Sequence, residues 1–296
     1  MTMAIRRARP GDTILVRGGT YREIAGWGAV RGTVSEPIRL EAYPGERVVL
    51  MGVLQLVLAD YWTVRAINVT HDPALGRKEM LVKFDGGTGW QLLDSEIWGT
   101  RGVSNVIISG SSGPPTNYRI AGNCIHDNDA VGDPFMNDHN LYLSPGYNSG
   151  PGMIERNIFF NAENGAHIKA AGSTSATGSA NVVIRHNTMV RGAAGVIIGY
   201  GSHNTTLWRN LVGWQVGGSA SYNAAYLGNH VSGTRNVSTH LAVWAYPKSI
   251  RSTNDSPRPI TGVSTVWLRP TFDNTTSCSG FHSTDPVSGR YGRYSP

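Results

Sequence analysis

The sequence predicts an all-β chain wound as a parallel β-solenoid, and three observations carry that expectation. An asparagine keeps returning with similar neighbours, short apolar runs alternate with polar residues, and helical periodicity is nearly absent. The asparagine opens an apolar run in Asn68-Val-Thr, Asn123-Cys-Ile-His, Asn157-Ile-Phe-Phe, Asn187-Thr-Met-Val, Asn210-Leu-Val-Gly and Asn236-Val-Ser. The last five lie 34, 30, 23 and 26 residues apart, and from Asn157 onward each follows Arg156, His186, Arg209 or Arg235. A period of that size marks stacked supersecondary units. Its irregularity suits turns joined by loops of variable length.

The elements read as follows along the chain. Ala4-Ile5-Arg6-Arg7-Ala8 reads as the tail of a capping helix. Thr13–Arg17, Ile38–Ala42, Val48–Met51, Val182–Arg185 and Gly195–Ile198 alternate apolar and polar residues and are bounded by Gly, Asn, Ser and Pro, which is strand-and-turn patterning. Asn tolerates the left-handed backbone region and bonds local backbone, so it suits a sharp corner between two strands. Stacked about 4.8 Å apart, such amides can bond one another as an internal ladder. The asparagines are therefore assigned to the fold. Residues 1–240 are expected to form the solenoid, and residues 241–296, rich in Ser, Thr, Pro and Arg, a terminal coil or two and an irregular C-terminal cap.

Composition narrows the function classes. The formal charge is +6, which favours acidic partners, but the 26 Lys and Arg residues are scattered and no basic arm for nucleic acid stands out. No run of about 18 apolar residues suggests a membrane span. The first ten residues lack the apolar core of a secretory signal; the favoured reading is a secreted, extracellular protein whose signal is absent from this chain. Cys124 lies in an apolar run and reads as a buried thiol, with a Cys124–Cys278 disulfide the less favoured alternative.

Pro10–Glu23 (Pro-Gly-Asp-Thr-Ile-Leu-Val-Arg-Gly-Gly-Thr-Tyr-Arg-Glu) resembles the first coil of right-handed parallel β-helix proteins of the pectate lyase-like superfamily. Pro37–Leu50, Asn123–Asn128, His139–Ser144 and Ile154–Asn161 are similar to its later coils, so the likeness covers roughly residues 4–240. It implies a single-stranded right-handed parallel β-helix of roughly eight to ten coils. It also implies a groove on the outer face of a parallel sheet as the working surface. The superfamily includes pectate and alginate lyases, mannuronan epimerases, glycoside hydrolases and non-catalytic adhesins, so fold alone does not choose. Of the epimerase motif Asp-Pro-His-Asp, only Asp133-Pro134 is present.

Aligned by apolar alternation, Leu141–Ser144, Ala166–Lys169 and Val196–Gly199 fall into register, with Val82–Asp85 on an earlier coil. Leu141, Leu143, Ala166, Ile168, Val196 and Ile198 are then expected inward, and Tyr142, Ser144, His167 and Lys169 outward on one face, with Lys83 and Asp85 further down. This cluster suits abstraction of the C5 proton of a uronate: a base, a neutralised carboxylate and an acid for the leaving oxygen. Lys169 is the expected base, with His167 and His139 as competitors, and Tyr142 the expected acid. Lys83, Asp85, Tyr200 and Tyr226 are expected to bind the sugar chain. Asp129, Asp133 and Asp138, in the loop before His139, are candidate Ca²⁺ ligands. Asp94 and Glu96 alternate outward as a glycosidase pair would, on another sheet.

The leading expectation is a polysaccharide lyase, monomeric, acting on an acidic, uronate-containing polysaccharide by β-elimination. A glycoside hydrolase on the same scaffold is the alternative, and a non-catalytic carbohydrate-binding β-helix a third reading.

Overall fold

A computed structural model describes residues 1–76, 80–128, 138–170, 178–199, 201–215, 225–227, 237–239, 241–244, 250–252, 265–267, 270–282 and 290–294. Strand after strand pairs in parallel with the strand about one repeat away in sequence, and the pairs build three ladders. The first runs Thr13–Val16, Ile38–Ala42, Trp62–Arg65, Gln91–Leu93, Tyr118–Ala121, Gly152–Glu155, Val182–Arg185, Thr206–Trp208 and Val237–Thr239. The second contains Ile67–Thr70, Glu96–Trp98, Cys124–His126 and Leu211–Gln215, and the third Met80–Asp85, Ser104–Ser109 and His139–Ser144.

Three long strands, Val48–Val57, Ile158–Ala170 and Thr188–Ile198, run from the second ladder into the third. As a hydrogen-bond network these two ladders therefore form one sheet that closes on itself, through Cys124–Ile158 and Leu141–Ile168 pairing. The long strands carry positive φ at Gly52 (153°), Asn161 (52°) and Arg191 (61°), and past Asn161 the Ile158–Ala170 strand shifts register against Thr188–Ile198 between Ala162 and Ala166.

Inside, like residues stack. Leu40, Val64, Leu92, Ile120, Ile154, Ile184 and Leu207 line the first ladder, each at most 1% exposed. Leu54, Val82, Val106, Leu141, Ile168 and Val196 line the third. Each such side chain stabilises the fold by about 1.5–3 kcal/mol relative to exposure. Phe84, Trp90 and Tyr118 add a buried aromatic stack, with ring centres 4.1 and 4.9 Å apart. The helix Thr2–Arg7 puts Ile5 into the same core.

The asparagine ladder is present, with two corrections. Asn123, Asn157 and Asn187 each donate from Nδ2 to Oδ1 of the next rung, Asn157, Asn187 and Asn210, at 3.0 Å. Each of the four also donates to a first-ladder carbonyl: Leu92, Ile120, Ile154 and Ile184. The left-handed corner, however, is the residue before the asparagine: Arg156 (φ 54°), His186 (φ 52°) and Arg209 (φ 50°). The asparagine itself is freed to turn inward, where it is fully buried. Asn68 is one position out of register, since it lies opposite Glu96 while Ser95 occupies the ladder position and donates its amide to Asn123. Asn236 lies outside the described residues.

The cysteines are also corrected. Cys124 and Cys278 form a disulfide across 154 residues of sequence. The apolar run around Cys124 is the outer flank of the second ladder, covered by the returning C-terminal segment. Phe281 packs there against Cys124, Ile158, Phe160 and Val190. Arg293 donates to the Asn123 carbonyl, at 3.3 Å. Strands Leu241–Trp244, Ile250–Ser252 and Thr265–Trp267 extend the ladders before that segment begins.

Candidate active site

Apolar alternation gives the right parity on the third ladder, but the expected alignment of Ala166–Lys169 is two residues out: Leu141 lies opposite Ile168 instead of Ala166, and Tyr142 opposite Lys169 instead of His167. Gln55, Lys83, Ile107, Tyr142, Lys169 and Ile197 lie opposite one another in successive strands, and Tyr226 follows by register. Val57, Asp85, Ser109 and Ser144 form the neighbouring row. Period two sends the side chains from Gln55 to Ile197 and from Val57 to Ser144 outward, while the apolar residues between them fill the core.

Tyr142 and Lys169 are adjacent rungs. Lys169 Nζ stands over the Tyr142 ring, 5.0 Å from its centre. Burial lowers the Lys169 pKa from its ordinary 10.5, since an ammonium loses hydration there. The ring face opposes that loss only in part.

Lys83 and Asp85 sit on the same wall, two to three strands away, which is on the order of 10–15 Å. They pair with each other at 3.3 Å, and Asp85 also accepts the Ser112 amide at 2.9 Å.

Two of the three residues expected side by side are thus together, and the third is not. His167 was expected to face outward; it is fully buried. It continues a second internal ladder at the corner between the second and third ladders. Asn105 donates to Asn140 Oδ1 at 3.0 Å, and Asn140 Nδ2 lies 3.1 Å from His167 Nδ1. The same Asn amides bond the His126 and Phe160 carbonyls. Burial holds the His167 pKa at about 3, so the ring is neutral. Gly192 faces it across the gap; a Cβ there would lie 2.5 Å from His167 Nε2, so only glycine leaves room for the ring. This ladder was visible in the sequence as a polar residue immediately before the first inward apolar residue: Asn105-Val106, Asn140-Leu141, His167-Ile168.

His139 is buried beneath Tyr142, with ring centres 5.9 Å apart. Its Nδ1 accepts the Ala166 amide at 3.0 Å, which places the proton of the neutral ring on Nε2. Burial foremost, and then the charge of Lys169, push its pKa well below 6.5. His139 is therefore a neutral floor under the Tyr142–Lys169 pair.

Of the calcium candidates, Asp138 is fully buried beside His139, and Asp129 and Asp133 lie outside the described residues, as does Tyr200.

No protein-family model matches the chain. No curated protein matches it either. Among solved structures, it is similar to an alginate lyase from a Paenibacillus species, at 14% identity over 88% of this chain and 95% of that one, with TM-score 0.58. A lacto-N-biosidase from Eubacterium ramulus matches at 12% identity over 90% of this chain and 63% of that one, with TM-score 0.61. The mannuronan C-5 epimerase A-module from Azotobacter vinelandii matches at 11% identity over 88% and 89%, with TM-score 0.50. At these identities the likeness shows the fold alone, an all-β chain of stacked parallel strands.

Proposed function

We propose that the ladders wind as one right-handed parallel β-helix and that the chain is a secreted, monomeric polysaccharide lyase. Its substrate is an acidic, uronate-containing polysaccharide, cleaved by β-elimination on the outer wall of the third ladder. The observation that carries this reading is the Lys169–Tyr142 pair: an amine whose pKa burial lowers, 5.0 Å from a phenol ring on the adjacent rung. The formal charge of +6 supports an acidic substrate. Similarity to an alginate lyase and an epimerase, both named for uronate polymers, supports the same class.

In this reading neutral Lys169 takes the C5 proton. The electron pair forms the C4=C5 double bond as the C4–O bond breaks, and Tyr142 gives its hydroxyl proton to the departing glycosidic oxygen. Solvent then returns the proton from Lys169 to Tyr142. Lys83, Asp85 and Tyr226 extend the wall along which the polymer lies. His139 fixes the floor and stays neutral. No step is routed through calcium, whose candidate ligands Asp129 and Asp133 lie outside the described residues.

The alternative is a hydrolase. Glu96 is unsuited to act as its acid, since His126 and Arg47 hold its pKa at about 2 against the effect of burial. The test is a panel of pectate, alginate, glucuronan and a glycosaminoglycan, with and without chelator. A lyase produces an unsaturated uronate that absorbs in the ultraviolet. New reducing ends without that absorbance would replace this reading with hydrolysis, and binding with neither signal would replace it with a carbohydrate-binding role.

A further inference from the structure

The flank of the second ladder gathers four donor groups that the third-ladder wall does not use. Cys124 and His126 are two positions apart on one strand, so both project outward. Glu96 lies directly opposite Cys124 on the adjacent rung, and Cys278 arrives from the C-terminal segment. One donor atom each from Cys124, His126 and Cys278 lie within 4.8 Å of one another. Glu96 Oε1 stands 3.3 Å from His126 Nε2 and 3.4 Å from Cys278 Sγ.

The two Glu96 separations suit one central ion, while the two sulfurs, bonded to each other here, would part on reduction. Tetrahedral zinc with bonds of about 2.0–2.3 Å has ligand–ligand edges of about 3.3–3.8 Å. His126 is held for the purpose. Its ring is stacked between Trp98 and Phe160, with centres at 6.1 and 4.3 Å and planes within 8°. Its Nδ1 bonds Asp127 Oδ2 at 2.9 Å, the carboxylate–histidine arrangement that orients a ligating imidazole. Arg47 binds the other carboxylate oxygen of Glu96 at 2.6 Å, leaving Oε1 to face the cluster. A pocket of about 300 Å³ opens here, with Arg47 and Arg293 on its lining.

We propose that the reduced chain holds one zinc ion, or another soft divalent cation, through Cys124, Cys278, His126 and Glu96, so that disulfide and metal are alternative occupants of one clasp. Reduction converts the disulfide into two thiols: two reductant thiols give two electrons and two protons and leave as their own disulfide, or a phosphine gives two electrons and takes the oxygen of a water whose two protons go to the sulfurs. The cation then displaces both thiol protons. Two thiolates, one carboxylate and a divalent cation leave one net negative charge, which Arg47 and Arg293 offset. Sulfur and nitrogen donors select zinc over calcium or magnesium. In either state the C-terminal segment stays anchored to the second ladder. The clasp does not depend on the lyase reading.

The test uses the full chain, reduced with a phosphine that is then removed under inert gas, and titrated with Co²⁺. The expected result is one cobalt per chain, with a sulfur-to-cobalt charge-transfer band and intense tetrahedral visible bands, displaced by Zn²⁺. Oxidised protein binds none. Cys278→Ser weakens the charge-transfer band, and Asp127→Asn lowers affinity about 10–100-fold while keeping that band. Circular dichroism of the reduced chain and of each variant reports whether the sheets persist. A folded, reduced chain without stoichiometric cobalt overturns the proposal. So does binding indifferent to Cys278→Ser, or a reduced chain that loses its sheets and binds cobalt only when unfolded.

Discussion

Lys169 places its amine 5.0 Å from the centre of the Tyr142 ring, one strand away on the same outer wall. Neighbouring rungs make that contact inevitable once the register is set. A base must be unprotonated to accept the C5 proton, so the rate should rise with pH and level off above the Lys169 pKa. Burial lowers that pKa below 10.5, and the inflection should fall correspondingly lower. Lys169→Ala should reduce kcat by about 10²–10⁴-fold. A variant retaining full activity would remove Lys169 from the chemistry.

Tyr142→Phe separates the hydroxyl from the ring. The ring face under Lys169 persists, so the pH inflection should move little. Loss of the proton donor should lower kcat by about 10²–10³-fold with thermal stability unchanged. Unaltered kcat, measured by ultraviolet absorbance of the product, would show that the leaving oxygen takes its proton from elsewhere.

Much of this arrangement was legible because strand period and core burial are one signal. Leu141, Ile168 and Val196 alternate with Tyr142, Lys169 and Ile197, and a one-residue slip would have buried the polar set. His167 obeyed the same alternation and still ended inside. Parity places a side chain on one side of a strand, but at a corner that side faces into the bend, where the Asn105–Asn140 stack already runs. Cys124 and Cys278 were harder to pair, because 154 residues separate them and nothing local reports that the tail returns to the second ladder.

His167→Asn tests the rung assignment directly. Asparagine restores the residue type found at the two preceding rungs and can accept from Asn140. Activity should remain within about threefold of wild type, a change under 1 kcal/mol. A large loss with the fold intact would give His167 a chemical role that its burial argues against.

Asn157→Ala interrupts the longer ladder at its centre. Asn157 Oδ1 accepts both the backbone amide and the side-chain amide of Asn123, and its Nδ2 serves Ile120 O and Asn187 Oδ1, all at 3.0 Å. The truncation leaves several buried groups unpaired at about 1–3 kcal/mol each, softened by relaxation, so a loss of about 3–5 kcal/mol is expected in urea unfolding. A loss below about 1 kcal/mol would mean that the amides fill space without adding cohesion.

Glu155 ties three rungs of the first ladder together. Its carboxylate accepts Arg119 Nε at 2.7 Å and Arg185 Nε at 2.8 Å. Burial acts to raise its pKa, but the two guanidinium bonds outweigh burial and hold the group below 4.5. A depressed folded pKa means stability that is fully present above the unfolded value and lost as pH falls through the folded one. The urea midpoint of the wild type should therefore decline with acid below about pH 4.5, and Glu155→Gln should flatten part of that decline. At neutral pH the same variant should lose about 1–2 kcal/mol, because two charge-assisted bonds become neutral ones while both arginines retain partial access to water. An acid limb of identical steepness in Glu155→Gln would assign the decline to other carboxylates and leave the clamp a local contact.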